Sequence, residues 1–237
     1  MASYLVGQSF NEILTNSITN SAYYSDSQLE TAVKMINNLS AELNILRPSL
    51  LETGLESVSW NLNRKVDMLR FFEFGKSYST SGVGKYTETN HLCLYLTGPL
   101  SEDSWKGKGK PVDFYYIKGL CARIFQLLGL ELPGWRPLEH SKLGSALEIA
   151  LEGRTLLEAG SVNPGLLKQF DIKQEVFFVD IRWDALIELA SGKSIEFREL
   201  PRQLAVYRDL AMIVDKSLPY EKVEKPYAAR VWTNCRT

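Results

Sequence analysis

A lysine-rich loop is the first part of this sequence that could do chemistry, because ammonium groups and glycine N–H groups together can hold a phosphate. Residues 106–111 read KGKGKP, with three lysines and two glycines. Their spacing differs from the phosphate-binding GxxxxGK[ST] pattern, and Pro111 has no N–H to donate. We therefore predict a solvated loop. Gly82 and Gly84 likewise predict a short connection between strands, because no GxGxxG sequence opens a helix there.

Histidines and cysteines are the next candidates, as metal ligands or nucleophiles. His91 begins a predicted strand and His140 lies in a predicted loop, and neither is accompanied by a second histidine or cysteine at a spacing typical of zinc sites. The cysteines at positions 93, 121 and 235 form no CxxC pair. These patterns predict no metal ligand, no catalytic residue and no cofactor-binding residue, and they favour structural roles for both histidines.

Two carboxylates within apolar segments could act as acids or bases. Glu73 lies in the predicted strand of residues 70–78, where it is either a functional group or the partner of Arg64 or Arg70. A buried carboxylate is most often paired, so we predict an ion pair. Asp209 follows Arg208 in a later apolar segment, either as a self-satisfied pair or as an RNA-facing one. The structural interpretation is favoured there too.

The elements that must position these residues begin with a helix after Pro48, since proline is tolerated in a first helical turn. Apolar residues then recur at steps of four, three and four, which places them on one face. This stripe consists of Leu51, Leu55, Val58 and Leu62. Trp60 points away from the centre of the stripe. It is therefore either half-buried by its own chain or offered to a partner.

Alternation and capping patterns predict the other elements. Leucines at positions 92, 94 and 96 alternate along a strand and so share one face. Asp113 predicts the start of a second helix, which Gly129 ends, and Glu152-Gly153 predicts the turn of a β-hairpin. We also predict a strand or short helix at 10–18, strands at 32–36, 91–97, 175–181, 194–199 and 204–214, and short helices after 163 and at 183–190. The mixture lacks a βαβ rhythm, which favours an α+β fold with a largely antiparallel sheet.

Composition places the chain among ordinary globular proteins. It has 237 residues, of which 45% are hydrophobic and 23% are charged, and its net charge is −1. No cationic field attracts nucleic acid to the molecule as a whole. No apolar run reaches ~18 residues, the length of a membrane span, and no secretory signal pattern opens the chain. We expect a cytoplasmic protein without membrane contact.

Four separated motifs carry a resemblance to a known family. They are FNEI at 10–13, the stretch LRPSLL to FFEFG at 46–75, VDFYYIKG at 112–119, and YRDLA with Val214 and Asp215 after it. In this order they resemble the beta subunit of bacterial-type phenylalanyl-tRNA synthetase, over about residues 4–225. The resemblance implies a class II aminoacyl-tRNA synthetase-like antiparallel sheet flanked by helices at 1–195, and the truncated start of a ferredoxin-like anticodon-binding module, or a tail, at 196–237.

The resemblance also implies a functional role. The whole enzyme is a heterotetramer in which the alpha subunit activates phenylalanine with ATP and magnesium and charges tRNA(Phe). This chain then resembles a non-catalytic supporting portion, and its strand exit at 76–82 lacks the arginine with which class II enzymes grip ATP. We expect it to bind no cofactor and to bind tRNA weakly by itself. By analogy with class II pairing, Leu51, Leu55, Val58, Trp60 and Leu62 are expected at the interface with the alpha subunit.

Two alternatives from other classes stay open. The chain could be a stand-alone enzyme with a small-molecule pocket on a class II-like fold, which a convergent cluster of arginines and carboxylates would favour. It could instead be a nucleic-acid-binding module that acts through its lysine loop, which an aligned basic stripe would favour.

Overall fold

A computed structural model describes residues 1–38, 40–105, 107–192, 209, 211–218, 220, 222 and 223. The chain divides into two compact units, Met1–Ile195 and Glu196–Thr237. Every helix and strand given below lies in the first unit. In the second unit, Asp215 accepts hydrogen bonds from the backbone and hydroxyl of Ser217, at 2.8 and 2.5 Å.

The described residues of the first unit form six α-helices and nine strands. The helices are α1 (Ala2–Gly7), α2 (Asp26–Glu30), α3 (Leu51–Leu62), α4 (Phe114–Leu127), α5 (Pro164–Gln169) and α6 (Trp183–Ser191). The strands are β1 (Asn11–Glu12), β2 (Ile18–Thr19), β3 (Ile45–Leu46), β4 (Leu69–Gly82), β5 (Lys85–Thr97), β6 (Arg136–Pro137), β7 (Leu143–Leu151), β8 (Arg154–Val162) and β9 (Val176–Arg182).

Seven of the strands form one sheet in the order β1-β4-β5-β9-β8-β7-β6. Its neighbours pair antiparallel except β1 and β4, which are parallel. Strands β2 and β3 make a separate antiparallel pair. The predicted α+β fold with a largely antiparallel sheet is therefore confirmed.

Helices cover both faces of the central sheet. Side chains of α1, α4 and α6 pack on one face, where they meet the predicted leucine row of β5 at positions 92, 94 and 96. Side chains of α3 and α5 pack on the opposite face, against Phe71, Tyr95 and Phe178. Alternation along each strand thus divides the core into two layers.

Local signals placed the long elements correctly. The Asp113 carboxylate accepts a hydrogen bond from the Tyr116 N–H at 2.8 Å and so caps α4. Gly129, just beyond that helix, has a φ of +69°. Glu152 and Gly153 both have positive φ in the β7–β8 turn, as a tight hairpin requires.

Short elements were predicted less well. The strand predicted at 32–36 is wrong, because Lys34 makes only an isolated bridge to Ile45 and Ile36 is 98% exposed. The single element predicted at 10–18 is instead β1 and the start of β2. Helices α1 and α2 were not predicted, since six and five residues are too few to display a helical period.

Predictions beyond Gly192 lie mostly outside the described residues. This applies to the strand at 194–199, to Arg208 and to most of the strand at 204–214. The described residues 211–214 are exposed and carry no strand assignment. Within the described part of the chain, no helix combines the length and apolar character needed to cross a membrane.

Candidate functional site

Helix α3 carries all five residues that were predicted at a subunit interface. Leu51, Leu55 and Val58 are at most 2% exposed and pack on the sheet, with Leu62 partly buried at the edge of the same cluster. Trp60 points the other way and is 56% exposed. The apolar stripe therefore fixes the helix to its own sheet, and the tryptophan faces outward. The interface itself stays a prediction.

A surface of mixed apolar and polar residues surrounds Trp60. The Arg64 guanidinium carbon lies 3.3 Å from the centre of the indole ring, and Arg64 also donates a hydrogen bond to the Trp60 carbonyl at 2.9 Å. A shallow groove beside the ring is lined by Ile13, Leu14, Glu56, Ser57, Trp60 and Asn61. Leu14 is 90% exposed there. We call this surface the Trp60 groove.

A buried ion pair lies on the α3 side of the sheet. Arg47 donates a hydrogen bond to Glu73 at 2.9 Å, and their side chains are 2% and 0% exposed. The Thr15 hydroxyl donates to the same carboxylate at 2.8 Å. Arg47 also donates from Nε to the Lys76 carbonyl at 2.9 Å. This network, which we call the Arg47–Glu73 network, joins β4 to the segments before β2 and α3.

The predicted ion pair of Glu73 is thus present, but its predicted partners are wrong. Arg64 stacks on Trp60 at the surface. Arg70 points to the opposite face of β4, where it donates to the carbonyl oxygens of Gln8 and Leu100. Alternation along the strand separates adjacent odd and even positions, so Arg70 cannot reach a carboxylate three residues away on the other face.

A second buried carboxylate is neutralised nearby. Lys142 donates to Glu52, which is 0% exposed. The Lys142 ammonium also lies 4.7 Å from the centre of the Tyr24 ring. His140 Nδ1 accepts hydrogen bonds from the N–H groups of Lys142 and Leu143, each at 3.1 Å. His140 therefore shapes the loop that delivers Lys142, in agreement with its predicted loop role.

The third polar group on this face joins β4, β5 and β9. Ser77 Oγ lies 2.8 Å from His91 Nε2, and Asp180 Oδ1 lies 2.6 Å from His91 Nδ1. Cys93 Sγ lies 3.8 Å from the same Asp180 oxygen. Arg182 Nη1 approaches His91 Nε2 at 3.5 Å. We call Ser77, His91, Cys93 and Asp180 the His91 cluster.

Serine, histidine and aspartate in this order resemble a hydrolytic triad in their hydrogen bonding, but the setting does not suit a nucleophile. Ser77 is 8% exposed, and its backbone belongs to the regular β4–β5 ladder. A hydrolase presents its serine on a sharp turn beside oxyanion-binding N–H groups. Burial also raises the pKa of the Cys93 thiol well above its ordinary value, with the Asp180 charge adding to the effect. That thiol is inert as a nucleophile at neutral pH.

The lysine-rich loop is hydrogen-bonded to a carboxylate of the same chain. The Gly109 N–H donates a hydrogen bond to the Asp103 carboxylate at 2.8 Å, so a protein carboxylate takes a donor that a phosphate would need. Lys106 is outside the described residues. Gly82 and Gly84, with φ of +145° and +78°, form the tip of the β4–β5 hairpin, as the predicted strand connection requires.

The sequence patterns did not identify several members of these networks, among them Arg47, Cys93 and Asp180. Arg47 directly precedes Pro48, yet no local pattern links it to a carboxylate 26 positions later. Cys93 had a signal, because positions 91 and 93 of a strand face the same way. Asp180 had none, since only the pairing of β9 with β5 places it opposite Cys93.

Similar proteins agree on one family. The family model described as "Phenylalanyl tRNA synthetase beta chain CLM domain" matches residues 1–183. Phenylalanine-tRNA ligase beta subunits from Bacteroides fragilis and Porphyromonas gingivalis are 36% and 34% identical, over 95% and 93% of this chain. That of Geobacillus kaustophilus is 31% identical over 91%. The chain spans 27–29% of the length of these relatives.

Solved structures agree on the fold. The crystal structure of pyrrolysyl-tRNA synthetase from Desulfitobacterium hafniense matches with a TM-score of 0.61 at 17% identity, over 81% of this chain and 67% of that one. The predicted class II synthetase-like fold is thereby confirmed. The predicted family is confirmed as well: this chain belongs to the phenylalanine-tRNA ligase beta subunit family, in its CLM domain.

Proposed function

We propose that this chain is the non-catalytic, synthetase-like portion of a phenylalanine-tRNA ligase beta subunit, which supports an alpha subunit that charges tRNA(Phe) with phenylalanine and ATP. One observation carries the non-catalytic part. The Arg47 guanidinium and the Lys142 ammonium on the α3-side face of the sheet are paired with the fully buried carboxylates of Glu73 and Glu52. A site for ATP needs cations that face an open cavity and stabilise phosphoryl charge.

The absence of a cofactor is part of the same proposal. ATP and magnesium would act in the whole enzyme, at the alpha subunit, and not on this chain. At the predicted strand exit, Lys76 pairs with Glu88 at 2.6 Å on the surface, so this cation also has a carboxylate partner. A cytoplasmic location accords with an enzyme that acts on tRNA.

A stand-alone small-molecule enzyme receives less support. A cavity of about 590 Å³ lies between α4 and the β7–β8 side of the sheet, and its charged lining residues are Lys118 and Glu175. The other lining residues are uncharged and include the aromatic Phe114, Tyr115 and Phe177. This lining lacks the convergent arginines and carboxylates that the enzyme alternative requires. The Asp103 contact in the lysine loop similarly weakens the nucleic-acid alternative.

Co-purification tests the proposed partnership. An affinity-tagged chain, co-expressed with the phenylalanine-tRNA ligase alpha subunit of the same organism, should retain that subunit through size-exclusion chromatography. The alpha subunit expressed with an unrelated tagged protein is the control. Elution of the folded chain without the alpha subunit, with folding checked by circular dichroism, would contradict a supporting role for this portion.

A further inference from the structure

The His91 cluster combines three different metal-binding groups on one rigid surface. His91 and Cys93 are two residues apart on β5, and Asp180 is directly opposite Cys93 on β9. The imidazole, thiol and carboxylate ligand atoms all lie within 4.8 Å of one another. Both strands are central in the sheet, with a paired neighbour on each side. The three positions are therefore fixed by the sheet's hydrogen bonds.

We propose that His91, Cys93 and Asp180 bind one divalent ion of the zinc class, which includes Zn²⁺ and Co²⁺. This departs from the sequence prediction, which overlooked the spacing of His91 and Cys93. Mixed nitrogen, sulfur and oxygen ligands are those that zinc takes, and three protein ligands with one open position are common. Carboxylate-only sites suit magnesium or calcium better.

Two of the three distances between ligand atoms require only small movements, and the third pair, His91 and Cys93, lies within 4.8 Å. Tetrahedral zinc lies about 2.0–2.3 Å from its ligands, so the ligand atoms lie roughly 3.3–3.8 Å apart. Cys93 Sγ and Asp180 Oδ1 are already 3.8 Å apart. His91 Nδ1 and Asp180 Oδ1 are 2.6 Å apart and must separate by less than an ångström, on the order of a side-chain adjustment. The ion takes the place of the proton that these two atoms share.

A neighbouring side chain orients the imidazole. Ser77 Oγ, 2.8 Å from Nε2, can accept the ring proton there. This leaves Nδ1 as the ligand atom, because a metal-bound histidine usually donates its other N–H to a nearby acceptor. The serine thus has the role of an outer partner and need not be a nucleophile.

Charge is also balanced in such a site. A thiolate and a carboxylate neutralise the ion's two positive charges. Binding releases the Cys93 proton, and the proton between His91 and Asp180 moves to Nε2, which then donates to Ser77. Arg182 adds a positive charge nearby, and Glu158, directly opposite Asp180 on β8, can offset it. The ion can enter past Asp180, whose side chain is 15% exposed, whereas His91 is 2% exposed.

Cobalt is the probe that reports the sulfur ligand. The experiment titrates Co²⁺ into metal-free chain in which Cys121 and Cys235 are serine, so that Cys93 is the only thiol. We expect one equivalent to bind with a near-ultraviolet thiolate-to-cobalt absorption band, which one equivalent of Zn²⁺ removes. Asp180→Asn should weaken binding at least tenfold, and further replacement of Cys93 by serine should abolish the band.

Several results would overturn the proposal. A folded chain whose only thiol is Cys93 and that shows no such band has no site of this kind, whether or not the Asp180 and Cys93 variants fold. A band that persists after Cys93→Ser would come from another source. Wild-type affinity in Asp180→Asn would exclude the carboxylate. Cys121→Ser by itself is the matched control, because Cys121 is equally buried but lies on the opposite face of the sheet.

Discussion

At the residue scale, two buried ion pairs lie on the α3 side of the sheet. The cost of removing two charges from water nearly cancels their attraction, so such a pair adds little net stability when intact. Removal of only one of the two charged side chains strongly destabilises the fold, because the other charge stays buried without a partner. The Arg47–Glu73 network has this character, since both side chains are at most 2% exposed.

Glu73→Gln should therefore destabilise the chain by about 3–5 kcal/mol, because the Arg47 charge remains buried and unpaired. Urea unfolding of the variant and the wild type measures the difference. Glu88→Gln is the matched control, since it breaks the exposed Lys76–Glu88 pair and should leave stability close to that of the wild type. Equal, small losses in both variants would contradict the importance assigned to the buried pair.

Sequence reasoning reached part of this result. A carboxylate between phenylalanines had to be paired, and Glu73 is. The identity of the partner depends on where the chain returns, and two nearby arginines were wrongly preferred to Arg47. Strand alternation could have excluded Arg70. Alternation could also have predicted that His91 and Cys93 lie on the same face of their strand. The position of Asp180 could not be predicted in this way, because it depends on the order of the strands in the sheet, which local patterns do not contain.

At the scale of elements, α3 approaches the sheet closely at one point. A Cβ atom placed on Gly54 would lie 2.1 Å from ring atoms of Tyr95. That ring is fully buried, and its hydroxyl donates to the Leu50 carbonyl at 2.6 Å. A helix-interior glycine, normally unfavourable, is explained here by the space that the tyrosine fills.

Gly54→Ala should consequently cost roughly 1–3 kcal/mol of stability, as overpacked core substitutions do. The corresponding change in α4 gives the control. Gly119 is exposed, and nothing lies within 4 Å of its added Cβ. Gly119→Ala should stabilise the chain by about 0.5–1 kcal/mol through helix propensity. Thermal unfolding of both variants measures these stability changes. A Gly54→Ala variant more stable than the wild type would mean that α3 does not pack tightly against Tyr95.

Trp60→Ala tests the predicted interface on the same helix. Removal of the exposed ring should lower the free energy of unfolding only slightly, by about 0.5–1 kcal/mol, because its contact with Arg64 is lost. A central aromatic anchor of an interface costs ~2 kcal/mol or more of binding when truncated. We therefore expect association with the alpha subunit to weaken more than folding does.

Tyr86→Ala is the comparison for that variant, because Tyr86 is 63% exposed on β5, outside the Trp60 groove. Isothermal titration with the alpha subunit gives the binding loss, and urea unfolding gives the folding loss. Unchanged binding together with reduced stability would identify Trp60 as a residue of the fold and would place the interface elsewhere.

Elements were predictable in proportion to their length. Helices α3 and α4 and the long strands display several periods of their pattern, so their faces could be assigned from sequence. Two-residue strands such as β1 and β3 have no period, and their positions follow from the tertiary pairings they make. The order of strands in the sheet likewise depends on packing between distant segments.

At the scale of the whole molecule, charge balance limits contact with RNA. The chain has 27 basic and 28 acidic side chains. Buried cations such as Arg47 are already paired and cannot meet phosphates. Binding to tRNA by this chain alone should therefore be weak and strongly salt-dependent, with a Kd of about 10⁻⁶ to 10⁻⁴ M at physiological salt.

Fluorescence titration of labelled tRNA(Phe) at two salt concentrations measures this affinity. Unrelated tRNA is the control, and similar weak binding of both is expected. Submicromolar, salt-resistant affinity for tRNA(Phe) would favour the nucleic-acid-binding alternative instead.

Phenylalanine-dependent exchange of pyrophosphate into ATP tests the central claim most directly. The purified chain, with the intact ligase as a positive control, should give no exchange above the enzyme-free blank. The reason is that Arg47 and Lys142 on the α3 side of the sheet are paired with buried carboxylates and cannot stabilise the transferring phosphoryl group. Exchange that rises with chain concentration, saturates with phenylalanine and survives removal of contaminating ligase would contradict the account.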